Sequence, residues 1–327
     1  MDPDRRPAFG RRGLLLGAAA LGTTAAFGAA PAGAAVPGFP EFRHLKTALD
    51  KGALAYNPTD ELIFPSIRHV AGRVRNPLGA WYMYYAPHDA PGGICLAYAD
   101  SLEGPWKEYS ANPIIPRTWS PHYSVSHVSS PHALWNDADG RMYLYFHGEN
   151  TTTRVATSTD GRTFDYGGTV LTTAMLPSDV TEASYARVFP HPVQSGVHVM
   201  LFMGNQAGTR KIFIGWSHRL ASGWQFKPQP LISPAAGENG QLSGAHYWSQ
   251  GGGGHVVYHA GDGNIRVARV GTSFDREEHL GVLYDSASTA PDNGRAAAPS
   301  FAEENGRMYM FYEAGQRSAT NIAVARA

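Results

Sequence analysis

The sequence predicts an all-β chain folded as a five-bladed β-propeller. The main observation is a unit that returns five times after about residue 60. Each unit has a short apolar or Ser/Pro run, a turn, an aromatic-rich strand and a strand of small residues. Glycine (37) and proline (23) are frequent, as many short strands and turns require. No stretch carries the periodicity of a long helix.

The copies begin at Phe64-Pro65-Ser66-Ile67, Ser130-Pro131-His132-Ala133, Ser184-Tyr185-Ala186-Arg187, Gly244-Ala245-His246-Tyr247 and Ala298-Pro299-Ser300-Phe301. Their spacings are 66, 54, 60 and 54 residues, a pitch that implies a repeat architecture. A β-sandwich, or two smaller β domains, would not repeat one strand order five times.

The elements follow in order. Arg11-Arg12-Gly13-Leu14-Leu15-Leu16 leads an apolar, Ala/Gly-rich stretch to Phe27, and Ala32-Gly33-Ala34 offers an A-x-A cleavage site. Residues 1–34 are therefore expected to be a twin-arginine-type export signal. Residues 35–327 are expected to form a single propeller domain of a secreted protein. No later run approaches the ~20 apolar residues of a spanning helix, so no membrane association is expected after cleavage.

Residues 35–60 lead in, with a short helix or turn expected around Leu45 to Lys51. In the first unit Trp81-Tyr82-Met83-Tyr84-Tyr85 alternates as a strand does, and residues 93–99 follow as another. The second unit pairs residues 141–146 with 153–158, and the third pairs 197–202 with 212–217. The fourth pairs 255–259 with 264–270, and the fifth pairs 307–312 with 321–326. The last unit ends without an outer strand, which residues 35–56 are expected to supply.

Lys+Arg and Asp+Glu both total 27, so no basic field exists to draw in nucleic acid. Cys95 is the only cysteine, and its Gly93-Ile94-Cys95-Leu96-Ala97 setting suits a buried strand rather than a nucleophile. There is no G-x-S-x-G, P-loop or dinucleotide fingerprint.

In a propeller the innermost strand of each blade lines a central channel. The residues that open those strands here are unusually polar. They include Asp60, Glu61, His127, His132, Glu182, Arg187, His246 and Arg295. Paired acids flanking one bond are what glycoside cleavage needs, one protonating the leaving oxygen and one activating water. The candidate catalytic residues are the carboxylates Glu182 and Asp60 or Glu61, with His132 beside them. Arg187, if buried, needs a carboxylate partner. Arg187, His246, His127, Tyr185, Tyr247 and Trp119 are candidates for holding a sugar, the aromatics by stacking on its C–H faces. No H-E-x-x-H or similar spacing supports zinc. No metal site and no cofactor are expected, with a structural ion in the channel left open.

The turn-plus-strand pieces Asp139-Gly140-Arg141-Met142-Tyr143-Leu144-Tyr145 and Asn305-Gly306-Arg307-Met308-Tyr309-Met310-Phe311-Tyr312 carry a resemblance, as does Ala99-Asp100-Ser101-Leu102-Glu103-Gly104-Pro105-Trp106. The chain resembles the five-bladed propeller glycosidases of glycoside hydrolase family 43 and relatives such as family 117. The resemblance covers nearly the whole domain in blade pattern and implies a hydrolase of glycosidic bonds with a carbohydrate substrate. It implies Glu182 as general acid. Phe64 stands where that family keeps its base, and His132 stands where it keeps a second acid, so the catalytic positions are atypical. The rival readings are a non-catalytic carbohydrate-binding propeller and a propeller lyase using His and Tyr on uronic acids. Oligomeric state is not legible.

Overall fold

Five antiparallel four-stranded sheets make up the architecture. The computed structural model describes residues 36–249 and 252–327, and the expected export signal lies outside the described residues. Strand β1 (Arg43–Leu49) comes first. Blade I then holds β2 (Ile63–His69), β3 (Trp81–Ala86), β4 (Cys95–Ala99) and β5 (Lys107–Glu108). A small hairpin, β6 (Thr118–Trp119) and β7 (Tyr123–Ser124), leads to blade II. Blade II is β8 (Val128–Asn136), β9 (Arg141–Gly148), β10 (Thr152–Ser158) and β11 (Asp165–Thr172). Blade III is β12 (Ser184–Pro190), β13 (His198–Gln206), β14 (Thr209–Ser217) and β15 (Gln225–Phe226). Blade IV is β16 (Ser243–Trp248), β17 (His255–His259), β18 (Ile265–Arg269) and β19 (Glu278–Tyr284). Blade V holds β20 (Ala296–Glu304), β21 (Arg307–Ala314) and β22 (Asn321–Arg326), and β1 completes it as the outermost strand.

The ring is thus closed by the lead-in segment pairing with the last strand, as the missing outer strand predicted. The short helix or turn expected around Leu45 to Lys51 is found only at the end of that stretch, and the rest is corrected to strand. Leu45 to Leu49 belong to β1, and only Lys51–Ala53 make a single 3-10 turn. Two register shifts in β1, between His44 and Lys46 and between Thr47 and Leu49, explain the misreading. They break strict alternation, so the spacing of Leu45, Ala48 and Leu49 imitates a helix face.

The core is five inter-blade layers rather than one centre, because each middle strand alternates its side chains. In β3, Tyr82 and Tyr84 pack toward Leu144 and Phe146 of blade II. Met83 and Tyr85 pack the other way, against Phe311 and Val324 of blade V. Phe202 and Val155 fill the layer between blades II and III, and Leu201 and Tyr258 that between III and IV. Val257 and Met310 close the last layer, joined by Phe42 just ahead of β1. Cys95 is a fully buried member of these layers, and burial pushes its thiol well up.

Every innermost strand carries the same defect. The register of β2, β8, β12, β16 and β20 on their neighbours skips at one place. At that skip Phe64, Ser130, Tyr185, Gly244 and Ala298 all adopt positive φ, between 47° and 62°. The bulge shifts the third repeat by one residue, so Tyr185 and not Ser184 matches Phe64. In blade IV only glycine fits, since a Cβ there would lie 2.9 Å from the Ala298 Cα.

Phe42 ties the closing strand to the ring through Trp248 and Phe301, at ring distances of 6.4 and 5.5 Å. Phe42→Ala should therefore cost about 3–5 kcal/mol in denaturant unfolding. A loss near zero would mean that the closure does not depend on this contact.

Candidate functional site

The repeated bulge divides the channel into two ends. We call the end where the innermost strands begin the upper mouth and the end where they finish the lower mouth. Three residues before each bulge stand Glu61, His127, Glu182, Gln241 and Arg295, a polar ring at the upper mouth. One residue before each bulge stand Ile63, Ser129, Ser184, Ser243 and Ala297. Their register partners at the ends of the second strands are Ala86, His147, Met203, His259 and Glu313.

The bulges are held by groups from the preceding blade. The Phe64 amide donates to Glu313 Oε1 at 3.0 Å, and Arg295 Nη2 donates to Glu313 Oε2 at 2.6 Å. The Ala298 amide donates to His259 Nδ1 at 3.0 Å, which leaves Nε2 as the protonated nitrogen of the neutral ring. Phe64 and Tyr185 stack face to face at 4.8 Å and plug the channel below the rim. His147 meets the edge of Tyr185 at 4.9 Å.

The predicted acids separate into three situations. Glu61 is 1% exposed; it accepts from the Ser318 amide at 2.8 Å and lies 3.1 Å from His88 Nδ1. Burial pushes its pKa up, but the His88 hydrogen bond, that ring's charge, the Ser318 amide and Arg317 outweigh burial and hold it below the usual range. Glu182 is clamped by Arg210, with Nη2 at 3.3 Å from Oε1 and Nε at 3.2 Å from Oε2. Asp60 instead stands on the surface with its side chain 71% exposed, paired to Lys51.

Ile63, Phe64, Tyr185, Ser243, Arg210, Arg295, Arg317, His88, His259 and Glu313 enclose a pit of about 20 Å³ at the upper mouth. That is room for one small substituent, not for a ring. The hydroxyls of Ser129, Ser130, Ser184 and Ser243 are buried here without a protein partner among the described residues. Buried polar groups are almost always paired, so these four leave unused hydrogen-bonding capacity in the bulged strand starts, and Ser243 brings it to the wall of the pit.

His132, Arg187 and His246 do not join that pit. They stand two residues beyond the bulge, in one layer with Ser66 and Ser300, and line a larger cavity at the lower mouth. Each bulge inserts an extra residue, which carries the following side chains past the Phe64–Tyr185 plug. The cavity measures about 760 Å³ and also takes in Arg68, Arg73, Phe189 and Tyr247. Tyr247 stacks on Phe189 at 4.5 Å.

Arg187 is 2% exposed, yet no carboxylate of the described residues lies within 4.0 Å of it; Glu182, one of the two partners open to it, is taken by Arg210, which leaves a substrate carboxylate as the other. Its guanidinium donates to the Pro131 and Pro65 carbonyls at 3.4 and 3.3 Å and lies 4.9 Å over the Phe64 ring. Carbonyl dipoles and a π-face replace the anion. His132 Nε2 donates to the Val188 carbonyl at 2.7 Å.

Of the remaining candidates, Tyr185 and His127 belong to the upper mouth, His127 with its Nδ1 3.0 Å from Ser126 Oγ. Trp119 sits in the β6–β7 hairpin, 5.8 Å from Tyr166 on the outer strand of blade II, away from the channel. Sequence reading missed His88, His147, Arg210, His259, Glu313 and Arg317. The signal for three of them was present: His147, His259 and Glu313 each close an aromatic strand with a polar residue. Among the described residues no group of three or more His, Cys, Asp or Glu is placed to hold a metal ion.

No family model matches the chain, and no curated protein matches it in sequence. Solved structures do match. The alpha-L-arabinofuranosidase PaAbf62A from Podospora anserina, in complex with cellotriose, superposes with a TM-score of 0.61 at 10% identity, over 88% of this chain and 97% of that one. Zg3597, a family 117 glycoside hydrolase of the marine bacterium Zobellia galactanivorans, gives 0.59 at 14% identity, over 88% and 90%. An endo-1,4-beta-xylanase from Bacteroides thetaiotaomicron gives 0.59 at 14%, over 87% and 92%. The chain shares the fold of the propeller glycoside hydrolases. At these identities the likeness establishes architecture, and chemistry must be argued from the site.

His132, His147, His246 and His259 all have pKa values held well below 6.5, burial being the first cause in each. They stay neutral when folded and take up protons near 6.5 when unfolded. Their contribution is present above that pH and lost as pH falls below it, by up to about 1.4 kcal/mol per pH unit for each. Melting curves taken from about pH 7.5 down to 5 should show Tm falling below 6.5. A flat Tm over that interval would contradict four imidazoles held neutral by the fold.

Proposed function

We propose that the protein is an exported glycoside hydrolase that cleaves a polysaccharide or oligosaccharide at the upper mouth of the propeller. The observation that carries this reading is the convergence there of Glu61, Glu182 and Glu313 from the first, third and fifth blades. The fold shared with glycoside hydrolases supports it, as do the four serine hydroxyls of the bulged strand starts that have no protein partner among the described residues. The Arg11-Arg12 signal supports export of the folded chain, which has one cysteine and needs no disulfide.

In this reading Glu182 protonates the leaving oxygen. Its side chain is 17% exposed, so it can reach a sugar seated on the rim. Arg210, which clamps it, first swings to the substrate so that Glu182 can take up a proton from solvent, and returns to the carboxylate once that proton has passed to the leaving group. Glu61, held ionised by His88 and Arg317, acts as the base or steadies positive charge at the sugar carbon. The pit accepts one polar substituent of that sugar, and Tyr185 lies under the ring.

A second reading has its own support. Each of the three glutamates is already paired with a guanidinium or an imidazole, while Arg210, Arg295 and Arg317 ring a pit bordered by Tyr185 and His259. Arginine to neutralise a uronate, with His and Tyr to move its protons, is the equipment of a lyase.

One assay separates the readings. The mature protein is incubated with neutral and uronate-containing oligosaccharides, and both new reducing ends and the absorbance of a new C=C bond are followed. Reducing ends without the absorbance are expected. Glu182→Gln should lower kcat by at least about 100-fold while leaving Tm near wild type. A fully active variant would overturn the hydrolase assignment, and C=C absorbance would replace it with the lyase. Sugar binding without turnover on either panel would leave only a binding propeller.

A further inference from the structure

The lower cavity is wholly distinct from the pit, because the Phe64–Tyr185 stack stands between them. Its charge is one-sided. Arg68, Arg73 and Arg187 line it, and no Asp or Glu does among the described residues. The upper mouth differs, since each of its arginines is matched by a glutamate.

The two inner guanidiniums are fixed in place. Arg68 donates to the Ala133 and Ile67 carbonyls, and Arg187 to those of Pro131 and Pro65. Arg187 Nε is buried and has no partner among the described residues. Between them, His132 lies 3.5 Å from a terminal nitrogen of each. Burial, with repulsion from Arg73, pushes Arg68 down to about 10; burial, with repulsion from Arg68 and against the charge of Glu313, pushes Arg187 down to about 9, so both remain cations at neutral pH with no carboxylate in contact among the described residues. Such an arrangement is costly unless something negative completes it.

The walls state what kind of anion. Phe189, Tyr247 and Phe301 give the cavity aromatic faces, and its volume of about 760 Å³ lies in the range of small-molecule sites. We propose that the lower cavity is a binding site for a small oxyanion, carried on a sugar-like ring that packs against Phe189, Tyr247 and Phe301 while its carboxylate or sulfate meets Arg68, Arg73 and Arg187. It requires no cleavage at the upper mouth and stands or falls separately from it.

The test is calorimetric titration of the mature protein with D-glucuronate, D-glucose and inorganic sulfate, at ionic strength matched with chloride. Glucuronate should bind at one site per chain and glucose should not. Sulfate should compete with glucuronate. Weaker binding of sulfate assigns the site to a ring-borne anion, and equal binding with the same arginine dependence overturns the ring while keeping the oxyanion. Arg68→Gln and Arg73→Gln should each weaken glucuronate about tenfold. Arg73 is exposed, so its variant reports on the site even where Arg68→Gln fails to fold. Arg210→Gln, at the other mouth, should leave glucuronate affinity unchanged. Absence of binding by both anions would overturn the proposal. So would affinity lost in Arg210→Gln but kept in both lower-mouth variants.

Discussion

The left-handed bulge in each innermost strand is the constraint on which the rest of this structure depends. A non-glycine residue at positive φ costs on the order of 1 kcal/mol or more, and Phe64, Ser130, Tyr185 and Ala298 each bear that cost. What offsets it is local. Amides released by the bulge are taken up across the blade boundary, Phe64 by Glu313 and Ala298 by His259. The strain therefore also stitches neighbouring blades together where their inner strands are closest. It swings the Phe64 and Tyr185 rings into the channel as well, where their stack separates two mouths.

The two mouths solve burial of charge in opposite ways. Above the plug, guanidinium and carboxylate occur in pairs, Arg210 with Glu182, Arg295 with Glu313 and Arg317 with Glu61. Such pairs can be rearranged by a substrate that competes for one partner, which suits chemistry. Below the plug, Arg68 and Arg187 rest on carbonyls and the face of Phe64, with only neutral imidazoles beside them. That is a standing positive potential with fixed geometry, which suits recognition.

Much of the fold was legible because propeller blades are built from local signals. Alternating aromatics marked β3 and β21, Asn305-Gly306 marked a turn, and the missing fifth outer strand pointed back to the lead-in segment. The site was less legible because the bulge is not written in residue type. Phe64, Ser130, Tyr185, Gly244 and Ala298 share a conformation and no chemistry. Without it, His132 and Arg187 count as neighbours of Glu182, whereas the extra residue sends them below the plug. Glu313 and His259 were missed for a related reason, since their role is to receive a bulge amide from the next blade. Asp60 and Trp119 lie near blade starts in sequence but on the periphery in space, one in a surface turn and one over Tyr166.

The central claim is that the bulged strand starts build a substrate site at the upper mouth. A crystal structure of the mature Glu182→Gln protein with an oligosaccharide it binds tests this most directly. The account predicts a sugar ring over Tyr185, with one substituent directed into the pit between Arg210, Arg295 and His259. A sugar bound on an outer blade face, with the upper mouth and its serine hydroxyls untouched, would contradict it.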